Sequence, residues 1–197
     1  MSIKAVIFDL DGTITEPFFD FDAIRKEMGL SSDAGPVWEA MEKMSIERRR
    51  EVEAILNFYE EKAVTESTLN FGAKQTLDEL RSRGIYIGIL TRNRRENALA
   101  VGKKHGLEFD GVLGREEGPV KPDCFGILKL ARQFQVKPEE TLMVGDYLYD
   151  LLCARSAGAV SVLLKNHSRA DGFVEHADFI IENIGQILQI IEDNNNV

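Results

Sequence analysis

FDLDGTIT, residues 8–15, ends an apolar run that begins at Ile3, and it sets Asp9 and Asp11 two positions apart where that run stops. Apart from Lys4 the run is apolar, and an almost wholly apolar run without polar alternation suits a strand buried on both faces of a parallel sheet. Runs of the same kind recur at 85–90, 111–113, 141–144 and 160–164, with 179–181 a weaker sixth. Between them lie helix-like stretches at 73–83, 95–105, 123–134 and 150–156, and Gly84, Gly106 and Gly158 follow three of these where a left-handed cap is expected. The alternation predicts an α/β fold, a Rossmann-like parallel sheet flanked by helices and wound as right-handed βαβ units.

One segment breaks the alternation. From Thr15 to Leu69 there is no strand candidate, and 46–63 has a helical pattern, with Ser45 as its cap and Val52, Ile55, Leu56 and Tyr59 on one apolar face. The charge run Glu47-Arg48-Arg49-Arg50-Glu51 reads as the solvated face of that helix. The expected organisation is a core of residues 1–14 and 70–197, with a small all-helical cap at 15–69. The asparagine-rich tail, 193–197, reads as a frayed end.

The chain has 197 residues, 44% of them hydrophobic, which is enough for one packed domain plus a small insert. Its formal charge of −9 argues against nucleic acid or an anionic membrane as partner, so positive charge for an anionic substrate must be supplied locally. No apolar stretch approaches the length of a membrane span, and no signal-peptide pattern opens the chain, which gives a cytoplasmic expectation. Cys124 and Cys153 lack metal-site spacing and read as packed thiols, and the three histidines form no zinc-like cluster.

In a parallel open sheet the ligand crevice lies at the carboxyl ends of the strands, beside the point where strand order reverses. The first run leaves Asp9 and Asp11 there, the second Thr91, the third is followed by Lys121-Pro122, and the fourth leaves Gly145-Asp146 with Asp150 four positions on. Burying such carboxylates without compensation costs several kcal/mol per ion, so a cation is implied. An oxygen-only ligand set that leaves room for water and a phosphate oxygen favours Mg²⁺ over Ca²⁺. Around one reacting centre, one of the paired aspartates could attack phosphorus while the other protonates the leaving oxygen and then activates water. Lys121 and the Thr91 hydroxyl could neutralise the equatorial phosphate oxygens.

Asp9-Leu10-Asp11-Gly12-Thr13, Thr91, Lys121-Pro122 and Gly145-Asp146 with Asp150 resemble the four ordered motifs of the haloacid dehalogenase (HAD) superfamily. The likeness is to its subfamily I, in the phosphoglycolate phosphatase-like and β-phosphoglucomutase-like branch. It implies Asp9 as nucleophile, Asp11 as general acid/base whose main-chain carbonyl also binds Mg²⁺, Thr91 and Lys121 as phosphate ligands, and Asp146 as a metal ligand supported by Asp150. It also implies that the insert is a cap that closes over the site, excludes water and selects the substrate.

Tyr147 departs from the pattern, since relatives commonly carry a small hydroxyl residue directly after the Gly-Asp pair. Asn93 competes with Thr91 as cap of the 95–105 helix. Arg92, Arg94, Arg95 and the insert residues Arg25, Lys26, Arg48, Arg49 and Arg50 could grip an anionic substrate, although solvent exposure accounts for most of them; Arg92 is the one retained as a substrate-binding candidate. Phe18, Phe19, Phe21 and Trp38 could line a pocket or simply pack. The expected activity is Mg²⁺-dependent hydrolysis of a small phosphorylated metabolite through an aspartyl phosphate, by a monomer or weak homodimer. A β-phosphoglucomutase-type phosphomutase and a non-catalytic HAD-like metabolite-binding protein stand as alternatives.

Overall fold

A computed structural model describes residues 2–31 and 34–195; Asn196 and Val197, the end of the asparagine-rich tail, lie outside the described residues. The chain divides into two compact units, Met1–Pro17 with Thr68–Val197, and Phe18–Ser67.

The larger unit opens with β1 (Ala5–Phe8), and the smaller then contributes α1 (Phe21–Glu27), α2 (Val37–Glu42) and α3 (Ile46–Glu66). The larger unit resumes as α4 (Ala73–Ser82), β2 (Tyr86–Leu90), α5 (Arg95–His105), β3 (Gly111–Leu113) and α6 (Phe125–Phe134). It ends with β4 (Thr141–Gly145), α7 (Leu148–Ala157), β5 (Val160–Leu164), β6 (Phe179–Ile181) and α8 (Ile187–Asn195). The six strands form one parallel sheet in the order β3-β2-β1-β4-β5-β6.

The central strands are almost wholly apolar because both of their faces are covered. All four residues of β1 are buried, with Ile7 in register with Gly88 on one side and Met143 on the other. Ala5 and Ile7 pack with Leu130 and Phe134 of α6 and with Cys153 and Ala154 of α7. Fully burying a side chain such as Ile7 or Leu130 is worth about 1.5–3 kcal/mol. This packing leaves little space on β2 and β3: a Cβ on Gly111 would stand 2.7 Å from Leu130.

The element ends differ from the sequence reading for local reasons. The helix expected from 123 begins at Phe125, because the Asp123 carboxylate turns back to accept from the Phe125 N–H at 2.8 Å. The helix expected from 150 begins two residues earlier, at Leu148, with Tyr147 as its cap residue. Arg94, not Asn93, is the cap residue of α5, and Gly106 and Gly158 end α5 and α7 in the left-handed conformation.

In the smaller unit, Ser45 accepts from the Arg48 N–H at 3.3 Å and caps α3. Val52 and Leu56 pack with Ile24, Met28, Val37 and Met41, and Phe19, Trp38, Ile55 and Tyr59 border that cluster. The charge run is exposed except for Arg49, whose guanidinium lies 5.4 Å from the Trp38 ring centroid. Phe19 and Trp38 are thus engaged in packing.

Candidate active site

Strand order reverses between β1 and β4, since the chain runs from β1 outward to β2 and β3 and then returns to β4 on the opposite side. The carboxyl ends of these two strands therefore frame the crevice. Asp9 prolongs β1, its N–H donating to the Val144 carbonyl at 2.9 Å. Beyond it the chain turns sharply at Gly12, whose φ of +92° is in the region that favours glycine. A Cβ there would also stand 2.4 Å from Oδ2 of Asp146, so the turn and the aspartate after β4 share one tight space.

Three of the expected carboxylates converge: Asp9, Asp146 and Asp150 each offer an oxygen within 4.8 Å of the others. Lys121 reaches into this group, its Nζ standing 2.7 Å from Asp9 Oδ1 and 2.6 Å from Asp150 Oδ1. The lysine is only 3% exposed. Burial works against its ammonium, but the carboxylates of Asp150 and Asp9 outweigh that and hold its pKa above the ordinary lysine range. Burial pushes Asp150 up to about 6, with Lys121 pulling the other way. Burial, followed by the charges of Asp9 and Asp150, raises Asp146 well above the usual carboxylate range. Three carboxylates against one ammonium leave a negative surplus in a poorly hydrated place, and their hard oxygen donors fit a divalent cation such as Mg²⁺.

Asp11 stands apart from that trio. Its Oδ2 accepts from Asn93 Nδ2 at 3.1 Å. Asn93 is itself fixed, its Oδ1 accepting from Asn97 Nδ2 at 2.8 Å and from the Arg94 N–H at 2.7 Å. Thr91, buried at the end of β2, accepts from the Asn93 N–H at 3.0 Å. Arg92 is half-buried: it donates to the Lys121 carbonyl at 3.0 Å, and its guanidinium lies 4.9 Å from the Tyr149 ring centroid. Asp150 also accepts from the Tyr147 N–H at 3.1 Å, so the first turn of α7 aims this carboxylate.

Several supporting side chains escaped the sequence reading, which included Thr13 in its first motif but gave it no role. Asn70 Nδ2 donates to the carbonyls of Gly12, Thr13 and Thr15 at 3.0, 2.8 and 3.0 Å, and Asn166 donates to the Gly12 carbonyl as well. Thr13 donates to Asp146 Oδ1 at 3.3 Å. His167 Nδ1 accepts from the Arg169 N–H at 3.2 Å, which assigns the ring proton to Nε2, and Nε2 donates to the Asp146 carbonyl at 2.9 Å. Asn70, Asn166 and His167 are lone polar residues in loops, where sequence offers no periodic signal; the one cue was position, Asn166 just after a strand.

Residues 3–158 match the family model described as haloacid dehalogenase-like hydrolase. An uncharacterized hydrolase of Saccharomyces cerevisiae is 31% identical, the alignment covering 98% of this chain and 93% of the yeast protein. A phosphoglycolate phosphatase of Vibrio cholerae is 28% identical, with 96% of this chain and 97% of that protein covered. Among solved structures, a β-phosphoglucomutase of Clostridium difficile matches with a TM-score of 0.79 at 23% identity, over 98% of this chain and 97% of that one, which is a likeness of fold.

Proposed function

The chain belongs to the haloacid dehalogenase-like hydrolase family, and from that premise we propose that it is a Mg²⁺-dependent phosphatase acting on a small phosphomonoester through an aspartyl phosphate on Asp9. The observation that carries this reading is the division of labour among the aspartates. Lys121 occupies Oδ1 of Asp9, which leaves Oδ2 as the oxygen to present to phosphorus, whereas Asp11 is held separately by Asn93.

In the first half-reaction Asp9 Oδ2 forms a bond to phosphorus as the bond to the leaving oxygen breaks, and the proton on Asp11 passes to that oxygen. In the second, the Asp11 carboxylate takes a proton from water, the hydroxide so formed bonds to phosphorus, and the acyl phosphate bond breaks to release phosphate and restore Asp9. The Thr91 hydroxyl keeps its proton for a phosphate oxygen, because the contact it makes to Asn93 is as an acceptor. Lys121 offsets charge on the phosphoryl group. Asp9, Asp146 and Asp150, with the Asp11 carbonyl, would hold Mg²⁺, which when bound offsets the negative charge of phosphate beside these carboxylates.

We assign residues 1–14 and 70–197 to the catalytic core and 15–69 to a helical cap, an assignment supported by the separate apolar cluster of the smaller unit. The reading is tested by phosphate release from a panel of phosphomonoesters, with and without Mg²⁺, comparing the native protein with Asp9→Asn. Mg²⁺-dependent release that is lost in the variant is expected. Release that persists in Asp9→Asn would overturn the assignment.

A further inference from the structure

Tyr147 directly follows Asp146, and its side chain remains 37% exposed even though its N–H is fastened to Asp150. Its ring meets Tyr149 at 5.3 Å and 84° and Phe173 at 5.0 Å and 73°. Phe173 in turn lies 6.3 Å from the ring of His167, which donates to the Asp146 carbonyl. On the other side, the Arg92 guanidinium that bonds the Lys121 carbonyl stacks on Tyr149. Arg92, Tyr149, Tyr147, Phe173 and His167 thus form a continuous band along the loops that carry Lys121 and Asp146 and the first turn of α7, which carries Asp150.

Packing accounts for Phe173, which lies against Leu151, Leu163 and Ala170. It does not account for an exposed tyrosine and a guanidinium in the same band. Two edge-type ring contacts hold Tyr147 in one orientation, which lowers the cost of ordering it under a stacked ring. The guanidinium of Arg92 adds a planar cation suited to the same kind of partner. A polyol would call for side-chain carboxylates or amides to meet its hydroxyls, and this band offers rings instead.

We propose that this band is a stacking platform for the leaving group, and that the substrate of the phosphatase reached above, on which this inference rests, carries a planar aromatic ring. The test compares pairs that share a leaving oxygen and differ only in the ring. These are adenosine 5′-monophosphate against ribose 5-phosphate, and 2-phenylethyl phosphate against 2-cyclohexylethyl phosphate, each with Mg²⁺.

Native protein should favour the member with the planar aromatic ring by about tenfold in kcat/KM, chiefly through KM, which is the scale of one aromatic stack. The ratio should fall towards one in Tyr147→Ser and be retained in Tyr147→Phe. A preference in both pairs assigns any planar ring, and a preference in the first pair alone assigns a nucleobase; either supports the platform. A native ratio near one, or a ratio equal in native protein and Tyr147→Ser, would overturn it. If no compound releases phosphate, the phosphatase reading fails, and the platform is decided by titrating each pair onto the Mg²⁺-loaded Asp9→Asn protein, where equal affinities would refute it.

Discussion

Replacing Lys121 by Met removes the only ammonium in contact with Asp9 and Asp150 among the described residues, at a place where Lys121 and Asp150 are almost wholly buried. Methionine keeps the volume of the stem, so the loss is one of charge and two short bonds rather than of packing. Deleting one partner of a buried ion pair costs about 3–5 kcal/mol because the other charge is stranded. For a chain of this size each kcal/mol moves Tm by about 2–4 °C, which gives a drop of about 6–20 °C in EDTA at pH 8.

The drop should shrink on acidification. Burial already pushes the Asp150 carboxyl up to about 6 with the lysine present, and loss of the lysine raises it further. A carboxyl whose folded pKa exceeds its unfolded value costs stability as pH rises between the two, and at pH 5 the stranded Asp150 carboxyl holds its proton. Adding Mg²⁺ should raise Tm more in Lys121→Met than in native protein, and the double variant Lys121→Met/Asp150→Asn should lose less than the single one. Thermal melts at pH 5 and pH 8 decide the matter. A Tm loss below about 2 °C, or one equal at the two pH values, would refute the reasoning.

Gly12→Ala forces a β-carbon into the left-handed region and against Asp146, so it should cost about 1–3 kcal/mol and weaken Mg²⁺ binding, read by calorimetric titration of the variant. Asn70→Ala strips one amide that serves three loop carbonyls and should cost about 1–3 kcal/mol; Asn70→Asp should not rescue it, because a carboxylate cannot donate, and urea unfolding compares the two. In native protein without metal, the raised pKa of Asp150 should make stability fall as pH rises from about 4 through about 6, the raised carboxyl of Asp146 acts in the same direction, and Mg²⁺ should raise Tm more at pH 8 than at pH 5. A Mg²⁺ effect on Tm that is the same at both pH values would contradict this.

The sheet was legible because each central strand is an almost wholly apolar run, and such runs follow from burial on both faces; β3 and β5 begin and end where the runs do. Asp9, Thr91 and Asp146 were legible because each falls where a run stops, whereas Lys121 and Asp150 lie further along and were picked out by the order of the motifs. The convergence of Asp9, Asp146, Asp150 and Lys121 follows from strand order, which adjacent residues do not encode: Lys121 and Asp150 stand 29 positions apart yet bond at 2.6 Å. Asn166 is 154 positions from the Gly12 carbonyl it supports, and nothing local to Asn166 marks that destination. Helix starts were off by two residues at α6 and α7 because Asp123 and Tyr147 settle them through single hydrogen bonds, which no hydrophobic period reports. Tyr147 was visible as an oddity of sequence, and only the ring contacts around it suggest a use.

The central claim is a covalent phosphoryl group on Asp9, and the most direct measurement is the intact mass of Asp11→Asn quenched shortly after mixing with Mg²⁺ and the most rapidly hydrolysed phosphomonoester. Without the Asp11 carboxylate to activate water, the account predicts one added phosphoryl group per chain, mapped to the peptide that contains Asp9 and absent from the Asp9→Asn/Asp11→Asn double variant. Turnover by the native protein with no adduct in Asp11→Asn at any quench time, or an adduct on another residue, would contradict it.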